Sequence, residues 1–188
     1  MIALIYFIVR YAHSFYSDKA VTLMQNHFDL FNLTPTFNVD MGQLDSAYRE
    51  VQARVHPDKF VSSGSAEQRV AMQWATRANE AYQTLKKPLS RAIYLCELNG
   101  VSLNAESNTA MPRDFLMQQM ELREELDDAR NNEEALLHLE ERLKQTQREQ
   151  LQQISAQLTT PDYQEAAQLL RQLMFLEKIS HDIANALE

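Results

Sequence analysis

The chain has 188 residues and a formal net charge of −8, with 45% hydrophobic residues, three glycines and one cysteine. Three scattered glycines (Gly42, Gly64, Gly100) cannot build a Gly-rich phosphate cradle, and an acidic balance argues against a broad nucleic-acid footprint. A single cysteine, Cys96, excludes an internal disulfide and a Cys-rich metal site, which suits a reducing compartment. Few Gly and Pro with much Gln, Glu, Leu and Ala predict an all-α protein.

Residues 1–23 form an apolar N-terminal extension. Its run Ile2 to Val9 is interrupted by Arg10 and is too short to span a bilayer. No basic region precedes it as in a signal peptide, and the favoured reading is that translation begins at Met24. His27 to Leu33 predicts a short helix stopped at Thr34-Pro35, because Pro35 biases Thr34 away from helical angles. Asp40 is placed to cap the next helix, with Gln43 three residues on. Leu44, Tyr48, Val51 and Val55 follow at spacings of four, three and four, a single helical stripe. Asp45 precedes Arg49, and Glu50 precedes Arg54, each by four residues, which supports an exposed face.

Pro57 ends that helix and begins the corner His56-Pro57-Asp58-Lys59-Phe60. Pro57 restricts both itself and His56, so Asp58 is presented on a stiff turn without an evident local partner. A carboxylate held in that way suits capture by an arginine of another protein. In isolation the tripeptide better suits an ordinary turn in which Asp58 caps and His56 packs on its neighbour, since turns are rich in Pro and Asp. Ser65-Ala66-Glu67-Gln68 predicts a capping box for a long helix with Ala71, Trp74, Ala78, Ala81 and Leu85 inward, ending at Lys86-Lys87 before Pro88. The two helices form an antiparallel hairpin. A short helix from Leu89 to Leu98 is stopped by Asn99-Gly100.

Residues 100–111 read as a polar linker. Helices are then expected from Pro112 to about Arg130, from Glu133 to Leu158, and from a Thr160-Pro161 cap onward. The last carries Leu169, Leu173, Leu176, Ile179 and Ile183 on one side, and the three together suit a small antiparallel bundle over 112–188. Leu136, Leu139, Leu143 and Leu151 suggest a coiled-coil seam, but the polar stretch Lys144 to Gln150 breaks it.

The His56-Pro57-Asp58 triplet between two long helices, with Asn79-Glu80-Ala81-Tyr82-Gln83-Thr84-Leu85 after it, resembles a J-domain over residues 24–99. Pro88 to Leu95 (PLSRAIYL), Phe115 to Leu126 (FLMQQMELREEL) and Phe175-Leu176-Glu177-Lys178 resemble the HscB branch of iron–sulfur co-chaperones in particular. The resemblance spans about residues 24 to 187. It implies that His56, Pro57 and Asp58, helped by Arg49, Arg54 and Lys59, dock on an ATP-driven chaperone of the HscA/DnaK (heat shock protein 70) class and accelerate its ATP hydrolysis. It also implies that Leu116, Met117, Met120, Glu121, Glu124, Asp128 and Phe175 bind the iron–sulfur scaffold protein IscU. Taken alone, Arg49 and Arg54 are as well explained by a solvated face, diluted by Asp45 and Glu50. Leu116, Met120 and Phe175 by pattern alone read as core; the resemblance reverses that reading. Met117, Glu121, Glu124 and Asp128 share one helical stripe, an acidic rim beside an apolar centre.

The expected protein is thus a non-enzymatic, monomeric, bacterial-type cytoplasmic co-chaperone with no cofactor or metal, no nucleic acid and no membrane partner. His13, His27, His138 and His181 are scattered without ligand spacing. The alternatives are a general J-domain protein delivering unfolded clients and a coiled-coil adaptor built from residues 112–187.

Overall fold

The computed structural model describes residues 26–60, 64–103, 111–160 and 162–188, which contain helices and no strand. The apolar extension 1–23 and the proposed start at Met24 lie outside the described residues. The helices are α1 (His27–Leu30), α2 (Met41–Val55), α3 (Ser65–Lys86), α4 (Pro88–Leu98), α5 (Arg113–Ala129), α6 (Glu133–Thr159) and α7 (Tyr163–Leu187), with a 3-10 turn at Pro57–Phe60. No described helix is long and apolar enough to cross a membrane. The chain divides into two compact units that meet in sequence at Lys87 and Pro88.

In the first unit α1 is shorter than its apolar run predicts. It stops at Leu30 because Asn32 turns left-handed (φ 53°), and the Asn32 and Leu33 N–H groups close back on the Asp29 and Phe28 carbonyls. Asn tolerates that conformation, so it ends the helix before Pro35 can. Phe28, Phe31 and Phe37 are buried in this unit. Asp40 caps α2 as expected, accepting from the Gly42 and Gln43 N–H groups at 2.8 and 3.1 Å. The start of α3 departs from expectation. Gly64 is its N-cap, and only half a box forms, the Glu67 carboxylate accepting from the Gly64 N–H at 3.3 Å. Gly64 has no side chain with which to return the bond.

Leu44 and Val55 on α2 face Ala71, Ala78, Ala81 and Leu85 on α3, all buried. The alanines let the backbones approach closely, so Trp74 is only half-buried at the flank, with the Arg77 guanidinium 5.7 Å from its ring. A polar belt crosses the pair. Tyr48 and Tyr82 stack at 4.0 Å between centroids; the Tyr48 hydroxyl donates to Asn79 Oδ1 at 2.7 Å and the Tyr82 hydroxyl to Asp45 Oδ1 at 2.8 Å. Asp45 is therefore engaged across the hairpin by Tyr82.

Among its described residues the second unit holds four helices. α4 packs on α6 and α7 through a face that buries Ala92, Leu95 and Cys96, so by packing it stands with residues 111–188, whereas a division at 100–111 leaves it with the hairpin. Its end is as predicted: Gly100 is left-handed (φ 78°), and the Gly100 and Val101 N–H groups bond the Glu97 and Cys96 carbonyls. Leu126, Ala129, Leu136, Leu139, Leu143, Leu176, Ile179 and Ile183 make one continuous core from α5, α6 and α7. Leu136, Leu139 and Leu143 of the α6 stripe are thus consumed inside the chain, whereas Leu151 is half-buried outside this cluster. Where the stripe turns polar, Gln150 is buried but satisfied, donating to the Leu169 carbonyl at 2.9 Å and to Gln172 Oε1 at 3.1 Å. Asn132 caps α6, and Asp162 rather than Thr160-Pro161 caps α7, its carboxylate accepting from the Glu165 N–H. Pro161 lies outside the described residues.

Candidate functional site

Two separate surfaces carry the residues singled out from the sequence, one in each unit. The first is the corner between α2 and α3. Val55 closes α2 in the core, and Phe60, also buried, anchors the far end of the turn. Gln68 on α3 donates to the Phe60 carbonyl at 3.1 Å, a tie that the capping-box reading of Ser65 to Gln68 missed. Between these anchors the backbone is pinned by the Lys59 N–H to the His56 carbonyl at 3.0 Å.

The corner presents its charge outward. Asp58 is 85% exposed, and the group beside its carboxylate is His56, Nδ1 standing 3.5 Å from Oδ2. The same Nδ1 lies 3.3 Å from the Asp58 N–H. One nitrogen cannot do both at once: it accepts from the amide when it is bare, or donates to the carboxylate when it carries the N–H. Either way the imidazole braces the turn from its solvent side. Lys59 is exposed beside it, and Arg49 and Arg54 are exposed on α2. Arg54 lies 3.4 Å from Glu50, an exposed pair worth well under about 1 kcal/mol. Such a pair yields readily to a stronger partner.

The second surface lies on α5 and the adjoining edge of α7. Leu116, Met117 and Met120 are 45, 52 and 63% exposed, so this helix leaves three large apolar side chains in water. Its buried face is Phe115, Leu126 and Ala129. Glu121, Glu124 and Asp128 are exposed on the stripe expected for them. Phe175 is different: half-buried, packed against the core cluster, and in edge-to-face contact with Phe115 at 5.8 Å. It belongs partly to the core reading and partly to the surface. Arg123, which sequence reasoning passed over, stands 5.4 Å over the Phe175 ring. Its signal was available as a lone basic residue among acids in the run Met120 to Asp128.

Among the described residues no three His, Cys, Asp or Glu side chains come together as a metal site. Cys96 is fully buried; burial, aided by Glu97, pushes its thiol up to about 11, and its Sγ points at the Tyr163 carbonyl. A thiol in that state is a packing group.

A helix pair joined at an exposed His-Pro-Asp corner, followed by an antiparallel helical unit, defines a J-domain protein of the two-unit, all-helical class. Residues 111–184 match the HSCB C-terminal oligomerisation domain. A co-chaperone protein HscB homolog of Burkholderia mallei is 51% identical over 170 residues, 89% of this chain and 97% of the relative. The solved chaperone HscB from Vibrio cholerae superposes with a TM-score of 0.76 at 36% identity, covering 86% of this chain and 96% of that one. The crystal structure of human co-chaperone protein HscB gives 0.82 at 31% identity, covering 86% and 82%. The chain belongs to the HscB co-chaperone family. The relatives so named are co-chaperones, a class that acts on partner proteins without catalysing a reaction of its own.

Proposed function

We propose that the chain stimulates the ATPase of an HscA/DnaK-class chaperone through the corner at His56, Pro57 and Asp58, and delivers an IscU-type iron–sulfur scaffold protein to it through the α5 surface. The observation that carries the first half is the Asp58 carboxylate, held on a turn anchored at both ends and left almost wholly in water. An arginine of the partner can displace His56 and pair with it bidentately, at little cost to the fold. Arg49, Arg54 and Lys59 add a positive fringe for an acidic partner surface; with Asp45 engaged by Tyr82, Arg49 is left to face solvent and serve that fringe.

The second half rests on the exposure of Leu116, Met117 and Met120. Three large apolar groups in a row, rimmed by Glu121, Glu124 and Asp128 and flanked by Phe175, make an apolar centre with a charged edge. In this reading the protein works in the cytoplasm, as a monomer that assembles with two different proteins, and does no chemistry of its own.

The test measures ATP turnover of the cognate HscA-class chaperone with and without IscU. The parent chain and IscU together should stimulate more than either alone. Asp58→Ala should lose the stimulation while its unfolding free energy stays within about 0.5 kcal/mol, because the side chain makes no buried contact. Full stimulation by the variant would overturn the assignment of the corner. Broad stimulation by many unfolded clients, with none by IscU, would favour a general folding co-chaperone instead.

A further inference from the structure

The partner-binding reading of the α5 surface leaves one of its neighbours unexplained. Arg123 lies on the same face of α5 as Met120, three residues before it, and Leu116, seven before it. The acid one turn ahead of it, Asp127, is the obvious intrahelical partner. It is occupied instead by Arg130, whose Nε stands 2.9 Å from Asp127 Oδ1. Among the described residues Arg123 makes no ion pair. Its guanidinium rests over the Phe175 ring at 5.4 Å, while Phe115 meets the same ring edge-to-face at 5.8 Å and at 85°.

We propose that Arg123 is a positioning residue for the scaffold-binding surface: it clamps Phe175 against Phe115, so that the ring is already immobilised before a partner arrives. The proposal rests on the reading of α5 as that surface. Phe115 is buried and, with the core cluster against which Phe175 packs, holds the inner side of the ring; the exposed Arg123 supplies the guanidinium that covers its face. A half-buried phenyl at a helix seam otherwise samples several rotamers, and binding must then halt that motion. A planar cation over the ring face restrains it through the ring quadrupole and shields it from water without closing the patch. A lysine supplies the charge without the flat, stacking plane.

The experiment uses the full chain and an IscU-type scaffold protein. Arg123→Met keeps the apolar stem and removes the cation. It should weaken scaffold binding by a factor of about two to five, the range a surface cation–π contact supports. In the free protein it should also alter the ring signals of Phe175 in aromatic NMR. Arg123→Lys should recover part of both effects. Phe175→Ala separates the two claims. If it leaves scaffold binding intact, the surface itself is misassigned. If it weakens binding while Arg123→Met changes neither affinity nor the Phe175 signals, the clamp is wrong and the surface stands.

Discussion

Single residues in this chain divide by whether their neighbours were visible in sequence. Asp58 was legible as an acid on a proline-bounded corner between two amphipathic helices, and the fold leaves its carboxylate exposed and not spent as a buried cap. His27 was read as an isolated histidine without a role. In the fold it is partly buried; that burial first, and the Arg77 guanidinium second, depress its pKa below 6.5, against a smaller opposing pull from Glu80. The folded state therefore holds fewer protons than the unfolded chain just below that value, so stability rises with pH through this window and falls on acidification. Urea unfolding compared at about pH 7.5 and about pH 5.5 should show a drop for the parent that His27→Gln reduces. Equal drops in the two proteins would remove His27 from the account.

At the scale of elements, helical stripes were read well and helix ends less well. The stripe of α2 and the alanine face of α3 are where their periodicity puts them, because a 3.6-residue repeat is a local property. Caps depend on a single dihedral choice. Asn32, Gly64 and Asp162 each took a terminus that Pro35, Ser65 or Thr160 also offered. What joins α2 to α3 was also beyond pattern: the stacked pair Tyr48 and Tyr82 has its hydroxyls on residues 31 and 37 positions away. Tyr82→Phe keeps the stack and strips the bond to the Asp45 carboxylate. It should cost about 1–2 kcal/mol of unfolding free energy, read from the urea midpoint at unchanged slope. No change would mean that water replaces the hydroxyl at no loss.

For the whole molecule, the consequential difference is the allegiance of α4. It ends where Asn99-Gly100 said it would, yet its apolar face belongs to the second unit, where it packs on α6 and α7. A fragment of residues 88–188 should therefore unfold cooperatively. A fragment starting at Met111 should be less stable by about 2–4 kcal/mol, since it loses the partner face of Ala92, Leu95 and Cys96. Matching unfolding midpoints for the two fragments would show that α4 is dispensable to the bundle. The leucines of α6 make the same point in reverse. Their spacing was plain, but only the packed core says that Leu136, Leu139 and Leu143 are used within the chain and are not offered to a second one.

Sequence alone determined that this protein is helical, where its apolar stripes run, and that one stiff corner carries an acid, because each of these follows from a few adjacent residues. Only the tertiary structure decided which apolar side chains of α5 stay in water, that the Phe175 ring meets both Phe115 and Arg123, and which unit claims α4. Those outcomes depend on competition between surfaces far apart in the chain, and a helical repeat states that a face is apolar without naming what covers it.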